Sequence, residues 1–154
     1  MSTISEVLTA AQVRGSQKKL AYEGEVSSIE AYELLQKAPG AKLVDVRTRA
    51  EWDYVGRIPG AIEIEWQLYP EGKPNPQFVQ QLKQQVDPEA LVLFICRSGA
   101  RSHNAATAAA AAGYTQSYNV IDGFEGRKDA NNHRNTVEGW RFSGLPWYQV
   151  RGVY

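Results

Sequence analysis

The most constraining feature of this chain is the stretch Leu91-Val-Leu-Phe-Ile-Cys96-Arg97-Ser98-Gly99-Ala100-Arg101-Ser102. An apolar run leads into the only cysteine, and a short polar segment with two arginines follows. Ser102-His-Asn-Ala-Ala-Thr-Ala-Ala-Ala-Ala-Ala then reads as a helix, because alanine is the strongest helix former. The pattern is buried strand, tight loop, helix, with a thiol at the end of the strand. The first N–H groups of a helix lack intrahelical partners, and the helix dipole puts partial positive charge there. A loop feeding such an end can cradle an anion. A cysteine placed there is expected to ionise readily, and the thiolate is the nucleophile. Arg97 and Arg101 add positive charge suited to an anionic substrate, and Gly99 allows the turn without a Cβ clash.

A lone cysteine can equally be an inert core residue. Here Arg97, Ser98, Gly99, Arg101 and Ser102 crowd the thiol, and an inert core thiol needs none of them. The functional reading is therefore preferred.

The length of 154 residues suits one domain with one core. A formal net charge of zero gives no electrostatic reason to expect a nucleic-acid or acidic-membrane partner. One cysteine excludes an internal disulfide and a zinc site built mainly from cysteines, and no metal or organic cofactor is expected. No apolar run is long enough to span a membrane, and the N-terminus lacks a basic region followed by an apolar stretch. A reducing cytoplasm is the expected home for a free reactive thiol.

Along the chain, Ile4 to Val13 predicts a short helix with Ile4, Leu8 and Ala11 on one face, and Arg14 to Lys19 reads as a linker. Residues 1–24 are thus an N-terminal helix and linker that pack on the main body or on a partner subunit. The main domain is set at 25–148, with a tail over 149–154. Ser27 and Glu30 have capping-box spacing, with Ile29, Tyr32 and Leu35 as the apolar face and Pro39-Gly40 as the stop. Lys42 to Arg47 is a buried strand ending in charge. Asp45 and Arg47 read as a strand-end ion pair or a helix cap. Ala61 to Trp66 alternates and predicts a strand. Gln67 to Pro76 is a loop, either a surface loop or one wall of a cleft. Asn75 and Pro76 open a helix to about Val86, with Phe78, Val79 and Leu82 inward. Ser117 to Asp122 predicts a strand, and Gly123 to Gly126 a turn into a helix start. His133 is a candidate acid or base, with a surface-loop role preferred, and Trp140 and Trp147 are core or interface residues. Alternating strands and helices give an α/β fold with a mainly parallel sheet, whose site lies beyond the carboxyl ends of its strands.

Cys96-Arg-Ser-Gly-Ala-Arg-Ser102 resembles the active-site loop of the rhodanese family of sulfurtransferases. Asp45-Val-Arg47-Thr-Arg-Ala-Glu51-Trp52 is similar to the family's Asp-Val-Arg segment with its acidic-aromatic pair. Gly56-Arg57-Ile-Pro59-Gly60-Ala61 is similar to its Gly-His-Ile-Pro-Gly-Ala, with Arg57 in place of the histidine. Asp122-Gly-Phe124 resembles the strand followed by Gly-Gly-aromatic. The resemblance covers roughly Glu25 to Trp147. It implies a three-layer rhodanese-like fold, catalysis by Cys96, substrate binding by Arg97, Ser98, Gly99, Ala100, Arg101 and Ser102, and ordering of the pocket by Asp45 and Arg47. The reaction implied moves sulfur from a small anionic donor such as thiosulfate to a thiol or cyanide through a Cys96 persulfide.

Three other readings compete. A carrier module would hand sulfur to a protein acceptor without autonomous catalysis. A cysteine phosphatase would use Cys-x5-Arg, whereas Cys96 to Arg101 is Cys-x4-Arg, one residue shorter. Redox sensing through sulfenic acid would have no second cysteine in the chain to resolve it. Oligomeric state is not legible in the sequence.

Overall fold

The computed structural model describes residues 3–150. The elements run, in order, α1 (Ile4–Gln17), β1 (Gly24–Val26), α2 (Ser28–Lys37), β2 (Lys42–Asp45), α3 (Arg49–Tyr54), β3 (Ile62–Glu63), β4 (Gln67–Leu68), β5 (Lys73–Pro74), α4 (Phe78–Gln85), β6 (Val92–Ile95), α5 (Ala100–Ala111) and β7 (Ser117–Val120). Five strands form one parallel sheet in the order β1-β7-β6-β2-β3, and β4 and β5 make a small antiparallel hairpin. Among the described residues, no helix is long and apolar enough to cross a membrane.

The sheet has helices on both faces, as a parallel sheet requires. The period-2 alternation of β6 divides its residues between two cores. Val92, Phe94 and Cys96 face the layer that holds Phe78 and Leu82 of α4 and Ala105, Ala106 and Ala109 of α5. Leu93 and Ile95 face the layer that holds Val7 and Ala11 of α1 and Ala31 and Leu34 of α2. Alternation alone therefore turns the Cys96 side chain toward α5. The alanines of α5 let that helix lie close on the sheet.

Several boundaries differ from the expectation. The segment from Arg14 is not a linker: α1 continues to Gln17, and Gly15 is buried with Val7 and Ala11. Ile4 and Leu8 are only partly buried against the same core. The cause is close backbone contact, since a Cβ on Gly15 would stand 2.6 Å from the Glu23 carbonyl oxygen. Arg14 also donates to the Glu25 carbonyl at 3.0 Å and grips Glu30 at 2.7 and 3.1 Å. The Ser27–Glu30 capping box forms, but α2 buries Ser28, Ala31 and Leu34 and leaves Ile29 53% exposed. Ser28, Ala31 and Leu34 face inward, Tyr32 and Leu35 pack partly buried against the same core, and Ile29 turns outward. Ile62 and Glu63 of the alternating stretch are in register with β2, and the Ile64 and Trp66 N–H groups carry the bonding on to the Asp45 and Val46 carbonyls, where β2 itself ends. Asn75 does not cap α4. Its side chain accepts from the Gln77 N–H at 3.1 Å, and the helix begins at Phe78. No helix starts at Gly123–Gly126, where the chain makes turns.

The contact between α1 and β1 supplies a test. A Cβ on Gly24 would lie 2.3 Å from the Ala11 carbonyl oxygen. Gly24→Ala is expected to lose about 1–3 kcal/mol of stability through overpacking. Urea unfolding should show the loss as a lower midpoint with an unchanged slope.

Candidate active site

Cys96 follows the last residue of β6 and is 1% exposed. The chain then turns through Gly99, whose φ of +104° is left-handed. A Cβ at Gly99 would lie 2.4 Å from the Ile121 carbonyl oxygen, so glycine is required on both counts. From this position the Gly99 N–H donates to Cys96 Sγ at 3.1 Å, and the Gly99 carbonyl accepts the His103 N–H at the start of α5. Ser102 Oγ lies 3.3 Å from Sγ and 2.6 Å from Asn119 Oδ1. Asn119 Nδ2 donates back to the Gly99 carbonyl at 3.2 Å. Strand end, loop, helix and β7 thus converge on one sulfur atom.

The outer side of the loop is held by the turn after β7. The Phe124 N–H donates to the Cys96 carbonyl at 2.8 Å, and the Glu125 and Gly126 N–H groups donate to the Arg97 carbonyl at 3.0 and 3.1 Å. This is the segment expected to open a helix. Its amides bond the carbonyls of the Cys96 loop instead.

The two loop arginines differ. Arg101 is locked to Glu51 by bonds of 2.6 and 3.0 Å, both side chains being about four-fifths buried. Glu51 is also the third residue of α3 and closes a capping box with Thr48. Burial pushes the Glu51 carboxyl up, but the hydrogen bonds and charge of Arg101, the Thr48 N–H and the charge of Arg47 prevail and hold it below the usual carboxylate range. Arg97 is exposed and has no acidic partner among the described residues. Ala100 is exposed and Ser98 half-buried, and both lie at the surface of the loop.

Asp45 and Arg47 form an ion pair with no exposure on either side chain. Arg47 Nε lies 3.0 Å from Asp45 Oδ1 and Nη2 lies 2.7 Å from Oδ2. Nη2 also donates to the Gly56 carbonyl at 2.8 Å, and the guanidinium stacks on the face of the Phe124 ring, 4.1 Å from its centroid. The pair therefore sits beneath the residue whose N–H holds the Cys96 carbonyl. Arg57 bonds Asp53 at 2.7 Å and Glu63 at 3.0 Å. His133 is exposed, and its backbone N–H binds Asp129. Trp140 is buried, whereas Trp147 is 36% exposed and packs edge-on to Phe124.

The sequence assigns no site role to four residues that the structure brings to this region, Asn119, Glu51, Tyr22 and His103. Asn119 reads as an ordinary strand residue, and only the pairing of β7 with β6 brings it beside Ser102 and Gly99. The capping-box spacing of Glu51 from Thr48 marks the start of α3 and carries no sign of the bond to Arg101. Tyr22 and His103 meet at 2.7 Å from segments with no local sign of contact. Burial pushes the Tyr22 hydroxyl up to about 12, Asn119 opposing and the charge of Glu25 assisting.

The rhodanese-like domain family matches this chain over residues 28–130. The chain belongs to the rhodanese-like domain family. Protein Rv0390 of M. tuberculosis shares 42% identity and superposes with a TM-score of 0.77, over 84% of this chain and 99% of that one. An uncharacterised protein of Rickettsia conorii is 38% identical over 128 residues, covering 79% of this chain and 94% of its own. A protein of Arabidopsis thaliana named thiosulfate sulfurtransferase 18 is 36% identical over 113 residues, covering 71% and 81%. Membership places the chain in a sulfur-transfer family, and its core is the mainly parallel sheet flanked by helices expected above.

In this rhodanese-like domain the Glu51–Arg101 pair makes stability depend on pH. Because the folded-state pKa of Glu51 is depressed, its contribution is present above the ordinary glutamate range and is lost as pH falls through the lower folded value. Glu51→Gln is expected to cost about 2 kcal/mol at neutral pH. That difference should shrink as the pH falls through and below the ordinary glutamate range, which unfolding curves at stepped pH will measure.

Proposed function

We propose that this rhodanese-like domain is a sulfurtransferase that works through a persulfide on Cys96. The observation that carries the reading is the pairing of Sγ with a backbone N–H at 3.1 Å and a hydroxyl at 3.3 Å at the start of a helix. The Gly99 N–H is a fixed donor and the Ser102 hydroxyl lies within reach of the sulfur, an arrangement that stabilises negative charge there.

In the first half-reaction the Cys96 thiolate attacks the outer sulfur of thiosulfate. A sulfur–sulfur bond forms to Cys96, the bond to the sulfonate sulfur breaks, and sulfite leaves with the electron pair. In the second, a thiolate or cyanide attacks the terminal persulfide sulfur, and the Cys96 thiolate is restored. Neither step needs an oxidant, a metal or an organic cofactor. Arg97, as the exposed cation of the loop, would attract the anionic donor. Arg101 would anchor the loop to α3 while adding charge near the sulfur. The loop backbone from Ser98 to Ser102 would line the seat, and Asp45 and Arg47 would keep it in shape from below. Thiosulfate is the first donor to test because a relative bears that activity in its name. A protein thiol could serve as acceptor, and a reducing cytoplasm would keep Cys96 free.

The phosphatase reading is disfavoured by two features of the loop. It is one residue shorter than Cys-x5-Arg, and both terminal nitrogens of Arg101 are engaged by Glu51.

The test is thiocyanate formation from thiosulfate and cyanide. Wild type is expected to turn over, and Cys96→Ser to fall to the uncatalysed rate. Activity of Cys96→Ser equal to wild type would overturn the proposal. Arg97→Ala is expected to raise the KM for thiosulfate about tenfold with little change in kcat, as loss of one charge-assisted contact would do.

A further inference from the structure

The Ser102 hydroxyl has one proton and two neighbours that can accept it. Asn119 Oδ1 is 2.6 Å away and Cys96 Sγ is 3.3 Å away. The orientation of the Asn119 amide follows from its other bond. The Gly99 carbonyl can only accept, so Nδ2 faces it at 3.2 Å and Oδ1 must face Ser102. Oδ1 can only accept, so at 2.6 Å the Ser102 proton lies on that line. The sulfur then receives one certain donor, the Gly99 N–H, and a thiol proton on Sγ can point at a free lone pair of Ser102 Oγ. Asn119 is 4% exposed and Ser102 is fully buried, so the solvent-inaccessible hydroxyl is left to choose between these partners.

We propose that Asn119 is a positioning residue for Cys96, because it competes with the sulfur for the single Ser102 proton. With a neutral thiol the Ser102 O–H stays directed at Asn119 Oδ1. When the thiol proton leaves to water and Sγ becomes negative, the hydroxyl turns about its C–O bond and donates to sulfur. Asn119 keeps its bond to Gly99 throughout, so the loop does not collapse when the hydroxyl turns. The inference deepens the sulfur-transfer reading and rests on it for the persulfide, whose negative sulfur would draw the same proton.

Alkylation of Cys96 by iodoacetamide across pH tests this in the full chain, and it needs no sulfur donor. The charged groups around the sulfur are Arg97, Arg101 with Glu51, and the Asp45–Arg47 pair, with Tyr22 and His103 beyond Asn119. All are retained in the variants. Asn119→Ala is expected to move the midpoint of the alkylation profile to lower pH by about one unit, since the hydroxyl is released to the sulfur. Ser102→Ala is expected to move it to higher pH, and the double variant should coincide with Ser102→Ala. A purely structural role for Asn119 predicts a lower rate or a less stable protein, with no downward shift. An Asn119→Ala profile at or above the wild-type pH would overturn the proposal. So would a double variant that still shifts down from Ser102→Ala. If Asn119→Ala does not fold, Asn119→Leu is of similar volume and gives the same expectation. A wild type that takes no sulfur from thiosulfate would defeat the proposed function, while the alkylation profiles would still decide the role of Asn119.

Discussion

The buried ion pair of Asp45 and Arg47 is the constraint on which the rest of the site depends. Neither side chain is exposed, and withdrawal of both charges from water is costly unless each is closely paired. The pairing is close, and it reaches into several elements. Asp45 ends β2, its carbonyl takes the Ile64 N–H beyond β3, Arg47 holds the Gly56 carbonyl after α3, and its guanidinium stacks beneath Phe124. Phe124 in turn bonds the carbonyl of Cys96. Removal of one partner would leave an uncompensated charge at the centre of this assembly, so the pair specifies geometry more than it adds stability.

Above it, the loop is fixed from three sides. The turn after β7 holds its outer carbonyls, Glu51 holds Arg101, and Asn119 with Ser102 holds the interior. The sulfur is the convergence point of these restraints. Under the proposed function, a sulfur held this way would lose little entropy on reacting, which is one source of rate in an enzyme. The cost is a nearly inaccessible Sγ. A small donor sulfur can reach it more readily than a bulky group, which agrees with sulfur transfer over phosphate transfer.

Much of this was legible in the sequence because it is local. An apolar run before Cys96 and an alanine-rich segment after it define strand, loop and helix without reference to the rest of the chain. The Ser27–Glu30 capping box is likewise a matter of spacing. The errors arose where tertiary contact outweighs local preference. Gly15 looked like a linker residue, yet it is the point where α1 meets the backbone of β1. Ile29 looked like core, yet the alanine two residues on lies against the sheet. The turn at 123–126 looked like a helix start because its amides were free to read that way, and the loop carbonyls claim them. Asn119 and Glu51 gained their roles only when β7 and α3 were brought beside the loop, which no single-sequence spacing encodes. The resemblance pointed to Arg97 and Arg101 together, and the structure separates an exposed cation from one bound to a carboxylate.

The most direct measurement is intact-protein mass spectrometry of the full chain before and after mixing with thiosulfate, with peptide mapping of the product. Persulfide chemistry predicts a gain of one sulfur atom, located on Cys96 and removed by cyanide. No gain of mass from thiosulfate or any other sulfane donor, on protein whose Cys96 still alkylates, would contradict it.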